Sequence, residues 1–234
     1  MIIAIDGPAA SGKGTIGKCV AAYYGLAYLD TGTLCRAVAR DTLARSEDPA
    51  DAIEALKSAK ALDPFTLGDP GLRRPGLAEA ASLVAKHPEV REELLAYQRS
   101  FARAKSGAVL DGRDIGTVIF PDADVKLFVT ATPEERARRR YLELKQAGVA
   151  IKEADVLADI RRRDERDKNR EAAPLRKAPD AYLLDTTNLA IDAAFKAAID
   201  LIDAAMGRAG YAELGIAPFA LAPPFPKFSA KFWR

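Results

Sequence analysis

The chain has 234 residues, enough for one α/β domain carrying an insertion or for two small domains, and either can bury a substantial core. Its 35 Lys and Arg against 33 Asp and Glu leave a formal charge of +2, which argues against a nucleic-acid polymer as partner and confines any electrostatic role to local clusters. No run approaches the roughly 18 apolar residues of a membrane span.

The opening stretch Ile2-Ile3-Ala4-Ile5 is apolar and runs into Gly7-Pro8-Ala9-Ala10-Ser11-Gly12-Lys13-Gly14-Thr15. Glycines at 7, 12 and 14 let the backbone curl until several N–H groups converge, and the following helix adds the positive end of its dipole. Strand, loop, lysine and helix stand in the order a phosphate cradle requires, so residues 7 to 15 are read as a nucleotide-binding loop. Lys13 supplies a point charge for the β- and γ-phosphates, and Thr15 a hydroxyl for the metal side. Gly14 departs from the strict pattern, which places Ser or Thr directly after the lysine.

Ile16, Val20 and Tyr23 or Tyr24 continue at helical spacing until Gly25. Leu26 to Leu29 is a second strand ending in Asp30-Thr31-Gly32, at the carboxyl edge where open parallel sheets bind ligands. Thr31 or Thr33 is expected to cap the next helix, which holds Leu34, Val38 and Leu43, with Arg36 near its start. An amphipathic helix over 50 to 61 follows, and the Pro- and Gly-dense run 62 to 76 reads as irregular loop. Helical periodicity returns at 77 to 85 and from Pro88 to Ala104, where Val90, Leu94, Leu95 and Phe101 mark the buried stripe. His87, the lone histidine, precedes Pro88 and reads as a loop residue at a helix start.

Ala108-Val109-Leu110 is a third strand, running into the charged turn Asp111-Gly112-Arg113-Asp114-Ile115-Gly116, and Val125 to Val129 is a fourth. Thr132-Pro133-Glu134-Glu135 opens a helix with a capping threonine, proline at the first position and acids near the positive dipole end. That helix carries Arg136, Arg138, Arg139 and Arg140, and a second helical run holds Arg161, Arg162, Arg163, Asp164, Arg166, Asp167 and Arg170. Ala181 to Leu184 is a fifth strand, and Leu189 to Met206 a final amphipathic helix stopped by Gly207. Strands separated by helices imply an α/β fold: a five-stranded parallel sheet with helices on both faces. Cys19 and Cys35 form no Cys-x-x-Cys pair and the opening residues show no basic-then-apolar leader pattern, so a reduced, cytoplasmic setting is expected.

Moving a γ-phosphoryl group demands positioning and positive charge more than covalent help, so a phosphate loop facing arginines is a sufficient toolkit. A phosphate monoester, with its second pKa near 6, is largely its own nucleophile at neutral pH, whereas an alcohol acceptor needs a carboxylate to take its proton. Arg36, Arg113 and Arg170 are placed to converge on an acceptor phosphate through their guanidinium forks. The competing use of the arginine-rich helices is pairing with neighbouring acids, as for Arg163 with Asp167, and about half of these arginines are assigned to that. Two other functions stay open on these residues: a small-molecule alcohol kinase with Asp30 as general base, and a nucleotide-binding regulatory module. Against the second, no guanine-reading Asn-Lys-x-Asp stretch is present.

Ile5 to Thr15, Leu29-Asp30-Thr31-Gly32-Thr33-Leu34-Cys35-Arg36, Asp111 to Ala123 and Arg162 to Arg170 together resemble the bacterial cytidylate kinases, a family of nucleoside monophosphate kinases, over residues 1 to about 205. The resemblance implies ATP- and magnesium-dependent phosphoryl transfer to CMP or dCMP by a monomer. It implies a core of residues 1–30 and 106–206 with a helical lid at about 148–175 and a mostly helical acceptor insert at 31–105; composition adds an aromatic, Pro-rich tail at 207–234. The tail has no counterpart in the family, and a strap along the domain surface is expected for it. By position, Ser82, Arg91 and Asp114 match the cytosine-reading set, and Arg36, Arg113 and Arg170 the holders of the acceptor phosphate. Arg163 and Asp167 fall near the sugar, Asp30 and Thr31 at the tip of the second strand, and Arg139 and Arg140 on the donor side. Cys35 stands where the family usually carries Tyr, and 62 to 76 is too short for the strands the family's insert usually includes, with Arg73 as a remnant.

Overall fold

A computed structural model describes residues 1–74, 76–104 and 106–207. The expected strap therefore lies outside the described residues. Five strands, β1 Ile2–Asp6, β2 Ala27–Asp30, β3 Ala108–Gly112, β4 Val125–Thr130 and β5 Tyr182–Asp185, form one sheet in the order β2-β3-β1-β4-β5. Every pairing is parallel, so all five carboxyl ends meet at one edge. The α/β class expected from the alternation of strand and helix patterns is the one observed.

Side chains alternate across the strands and so feed two cores. Ile3 and Ile5 point to the face covered by helices α1 (Lys13–Tyr24) and α8 (Ile191–Ala205), where Ile16, Val20, Ile199 and Ile202 are buried. Ala4 points to the other face, with Leu29, Leu110, Ile115 and Phe120. The insert has a core of its own in which Leu34, Val38, Ala55, Val84, Val90 and Leu94 interlock helices α2 (Thr31–Ala44), α3 (Ala52–Lys60), α4 (Leu77–Val84) and α5 (Pro88–Arg103). Ala137, Leu144, Val156 and Ile160 join α6 (Pro133–Gln146) to α7 (Glu153–Asn169), with Ala10 of the glycine-rich loop packed against them.

Local details differ from the sequence reading at three points. Neither Thr31 nor Thr33 caps α2: Asp30 holds the cap position without a side-chain bond to the helix N–H groups, while Thr31 Oγ1 donates to the Asp111 carbonyl at 2.8 Å and Thr33 Oγ1 accepts from Arg36 at 2.6 Å. Residues 62 to 76 contain two 3₁₀ turns, Pro64–Gly68 and Pro70–Arg73, each opened by an Asp-Pro step whose carboxylate accepts a backbone N–H. The five residues Ile115–Ile119 form a π-helical turn directly after Asp114, which apolar periodicity did not reveal. Thr132 caps α6 as expected, accepting from Glu135 N–H at 3.3 Å.

Candidate active site

The glycine-rich loop leaves β1 and turns into α1 at Lys13. Gly7 is forced by contact, because a Cβ there would lie 2.0 Å from the Val129 carbonyl oxygen of β4. Gly14 is not forced in this way: a Cβ would lie 3.3 Å from Asp111 Oδ2, a tight but not forbidden contact with a side chain, and 3.5 Å from Tyr28 Oη. The residue after the lysine thus stands close beside a carboxylate. The loop is braced from behind. Arg136 donates from Nη1 to the Ala9 carbonyl at 3.2 Å and grips Asp164 with two bonds of 3.0 and 2.6 Å, tying α6, α7 and the loop together. Arg139 Nη1 donates to Thr186 Oγ1 at 3.0 Å, and that hydroxyl donates to the Ser11 carbonyl at 3.0 Å.

Lys13 is 9% exposed and its Nζ has one weak contact, to the Pro8 carbonyl at 3.4 Å. Burial and the nearby Arg113 push its pKa down to about 8 against the pull of Asp111 and Asp30. Holding that charge out of water disfavours the ligand-free fold, and an anion at the loop would offset it. Ser11 Oγ, wholly buried in the same loop, has no hydrogen-bond partner among the described residues. These are the properties of a site built for phosphate.

Register explains the acids beside it. Asp30 and Asp111 are paired neighbours on β2 and β3, so two carboxylates stand side by side at the sheet edge. Burial and the charge of Asp30 raise the pKa of Asp111, which accepts a hydrogen bond from Tyr28 Oη. Burial pushes Asp30 upward too, but Arg36 at 2.6 Å and Lys13 more than offset it and hold its pKa below the ordinary value. Such a carboxylate is a poor proton acceptor.

The acceptor-side residues come together at this edge with most charges matched. Arg113 Nε donates to Asp167 Oδ2 at 2.7 Å; Arg91 and Arg170 each bond Asp114, Arg170 at 3.2 Å. Asp167 therefore pairs across the cleft to Arg113 and not, as intrahelical spacing suggested, to Arg163. Arg163 has no hydrogen bond or ion pair among the described residues, and burial with the repulsion of Arg113 pushes its pKa down to about 10. Arg36 Nε and Ser82 Oγ are also buried without partners. A cavity of about 190 Å³ lies between α2, α5 and the π turn, lined by Thr31, Cys35, Arg91, Gln98 and Asp114 among others. Ser82 is not in its wall. Cys35 is, and a Tyr there would fill part of the space.

Some site features were not assigned a role from sequence. Asp6 is 5% exposed and accepts N–H bonds of 2.8 Å from both Ile115 and Gly116, so it fixes the start of the π turn and with it Asp114. Burial carries its pKa up to about 6 despite those two bonds. The signal was an acid closing an apolar strand, which pattern alone does not distinguish from a helix cap. Arg166 pairs with Glu79, joining α7 of the arginine-rich hairpin to α4 of the insert. Arg138, Arg140, Arg161 and Arg162 form surface pairs with neighbouring acids. Among the described residues no cluster of three or more His, Cys, Asp or Glu is arranged to hold a metal ion, and no helix is long and apolar enough to cross a membrane.

A five-stranded parallel sheet, a lysine-bearing glycine loop at its carboxyl edge and facing arginines define a P-loop phosphotransferase. The cytidylate kinase family model matches residues 3–204, and the chain belongs to that family. Proteins named cytidylate kinase from Rhodopseudomonas palustris and Nitrobacter winogradskyi are each 56% identical to it, over 210 and 212 residues. These alignments cover 90% and 91% of this chain and 98% and 100% of the relatives. One from Afipia carboxidovorans is 58% identical over 205 residues, 88% of this chain and 98% of its own. An uncharacterized Eubacterium ventriosum protein of solved structure, 19% identical, shares the fold with a TM-score of 0.51 over 87% of this chain and 98% of its own.

Proposed function

We propose that the protein transfers the γ-phosphoryl group of ATP to CMP or dCMP, giving the diphosphate. Two cations without ion-pair partners among the described residues, the buried Lys13 and the half-buried Arg163, are the observation that carries this reading together with family membership, because each is stabilised by an arriving phosphate. Residues 7 to 15 hold the donor triphosphate, with Lys13 on its β- and γ-oxygens. Arg36, Arg113 and Arg170 take the acceptor phosphate, Asp30 and Thr31 stand beside it, Arg163 and Asp167 face the sugar, and Ser82, Arg91 and Asp114 read the base. Arg139 acts behind the donor loop through Thr186.

Attack comes from an acceptor phosphate oxygen, already deprotonated at neutral pH, so no general base is required. The low pKa of Asp30 agrees with that and disfavours the alcohol-kinase alternative. Magnesium fits the donors present: Thr15 on the first turn of α1, with Asp111 beside Gly14, would complete a shell supplied mainly by the nucleotide. Bound there, the ion would neutralise charge on the transferring phosphoryl group. In this reading 31–105 is the acceptor insert and about 148–175 the lid, and the enzyme works as a cytoplasmic monomer.

Phosphorus NMR of the reaction of ATP with CMP tests the chemistry. The expected reaction consumes the CMP monoester singlet as two diphosphates, ADP and CDP, appear, and Asp30→Asn keeps kcat within about tenfold of wild type. A new monoester singlet, or a thousandfold loss of kcat in Asp30→Asn, would point to hydroxyl phosphorylation with Asp30 as base.

A further inference from the structure

Asp6 closes β1, and Gly7, the first residue of the phosphate loop, follows it directly. Its backbone and its side chain reach the acceptor side by separate routes. Along the sheet, Asp6 is the register partner of Gly112, the last residue of β3. Through its carboxylate it holds the π turn, Oδ1 accepting the Ile115 N–H and Oδ2 the Gly116 N–H, both at 2.8 Å. The first N–H groups of a helical turn have no partner within it, and Ile115 and Gly116 are buried from water. The carboxylate supplies what the turn lacks.

Arg113 and Asp114 alone lie between these two anchors, Gly112 and Ile115. The Asp114 carbonyl accepts the Val118 N–H at 2.9 Å and the Ile119 N–H at 3.2 Å, so the turn cannot shift without carrying Asp114 with it. Beyond the backbone the two side chains diverge, Arg113 to Asp167 of α7 at 2.7 Å and Asp114 to Arg91 of α5 and to Arg170. Their common origin is the span that Asp6 pins at both ends. We infer that Asp6 is a positioning residue, which sets Arg113 and Asp114 at a fixed distance from the phosphate loop by acting through Gly112, Ile115 and Gly116. It rests on the proposed reading of Arg113 and Asp114 as acceptor-binding residues. Asparagine keeps the shape of Asp6 but offers one acceptor oxygen, and its amide nitrogen would set a donor against an N–H. Alanine offers no acceptor at all.

Two-substrate kinetics with ATP and CMP or dCMP, run on wild type, Asp6→Asn and Asp6→Ala, test this role. Wild type inactive on both acceptors would overturn the acceptor reading, and the role of Asp6 with it. With wild type active, Asp6→Asn is expected to lower kcat/KM for the acceptor about thirtyfold and Asp6→Ala at least as much, because small misplacements of binding groups are costly. The KM for ATP is expected to stay within about threefold in both, since Lys13 and the loop N–H groups are untouched. A purely structural Asp6 would instead lower the melting temperature and leave the kinetics of the folded enzyme alone. An acceptor kcat/KM within threefold of wild type in Asp6→Asn, or an equal loss on the two substrates, would therefore overturn the assignment. If only one variant folds, as read by its melting curve, that one decides by the same criteria. If neither folds, Asp6 serves the fold and not the site, and the assignment is overturned.

Discussion

The two halves of the site solve opposite electrostatic problems. On the donor side Lys13 is buried without an ion-pair partner, and its depressed pKa records a standing cost that nucleotide removes. On the acceptor side Arg36, Arg91, Arg113 and Arg170 already hold Asp30, Asp114 and Asp167. An acceptor phosphate must therefore exchange with protein carboxylates, while a donor phosphate meets a vacancy in charge. The lesson is that the loop is strained toward its ligand, whereas the acceptor pocket is pre-assembled by internal ligand mimics. Arg163 is the exception, a cation on the acceptor side that feels the charge of Asp167 but makes no direct ion pair among the described residues.

Breaking the donor half gives the largest expected effect. Lys13→Met should lower kcat/KM by about a thousandfold or more, since it removes charge developed against the transferring group. The same change should raise the melting temperature of the ligand-free protein, because burial of the uncompensated charge is relieved. A lowered melting temperature would contradict the strained-loop account. On the acceptor half, Arg170→Met should lower kcat/KM for CMP about a hundredfold with the KM for ATP within threefold, measured in a two-substrate kinetic series. It should also destabilise the ligand-free protein, as Asp114 loses one of its two guanidinium partners. That opposite sign of stability change, compared with Lys13→Met, is the sharpest form of the contrast.

Asp114→Ala is expected to abolish the preference for cytosine over uracil while leaving ATP binding intact, as read by competition between CMP and UMP. A smaller, pH-dependent effect belongs to Asp6. Its folded pKa of about 6 lies above the ordinary 3.8, so its contribution is fully present below pH 3.8 and is lost as pH rises through 6. Between pH 4 and 7 the difference in stability between Asp6→Asn and wild type should therefore move in favour of Asn by about 2 kcal/mol in urea titrations. A difference that stays flat across that range would contradict the burial of a charged Asp6.

The loop was legible because its logic is local: glycines, lysine and helix follow one another in nine residues, and the structure requires glycine at 7, where the Val129 carbonyl comes within 2.0 Å of a Cβ. The sheet was equally legible, since short apolar runs ending in Asp30, Asp111 and Asp185 mark strand tips at one edge. The acceptor half depends on pairs distant in sequence. Arg113 with Asp167, Arg170 with Asp114 and Arg166 with Glu79 join segments 54, 56 and 87 positions apart, so local spacing gave Asp167 the wrong partner. Asp6 was illegible for another reason: an acid ending a strand acquires meaning only when its hydrogen-bond partners are known.

The central claim is that these two halves form one site for ATP and a cytidine monophosphate, and ADP release measured over CMP, dCMP, UMP, AMP and GMP tests it most directly. The account expects CMP or dCMP to give the highest kcat/KM by at least tenfold over every other acceptor. Release that is no faster with CMP or dCMP than without an acceptor would contradict it.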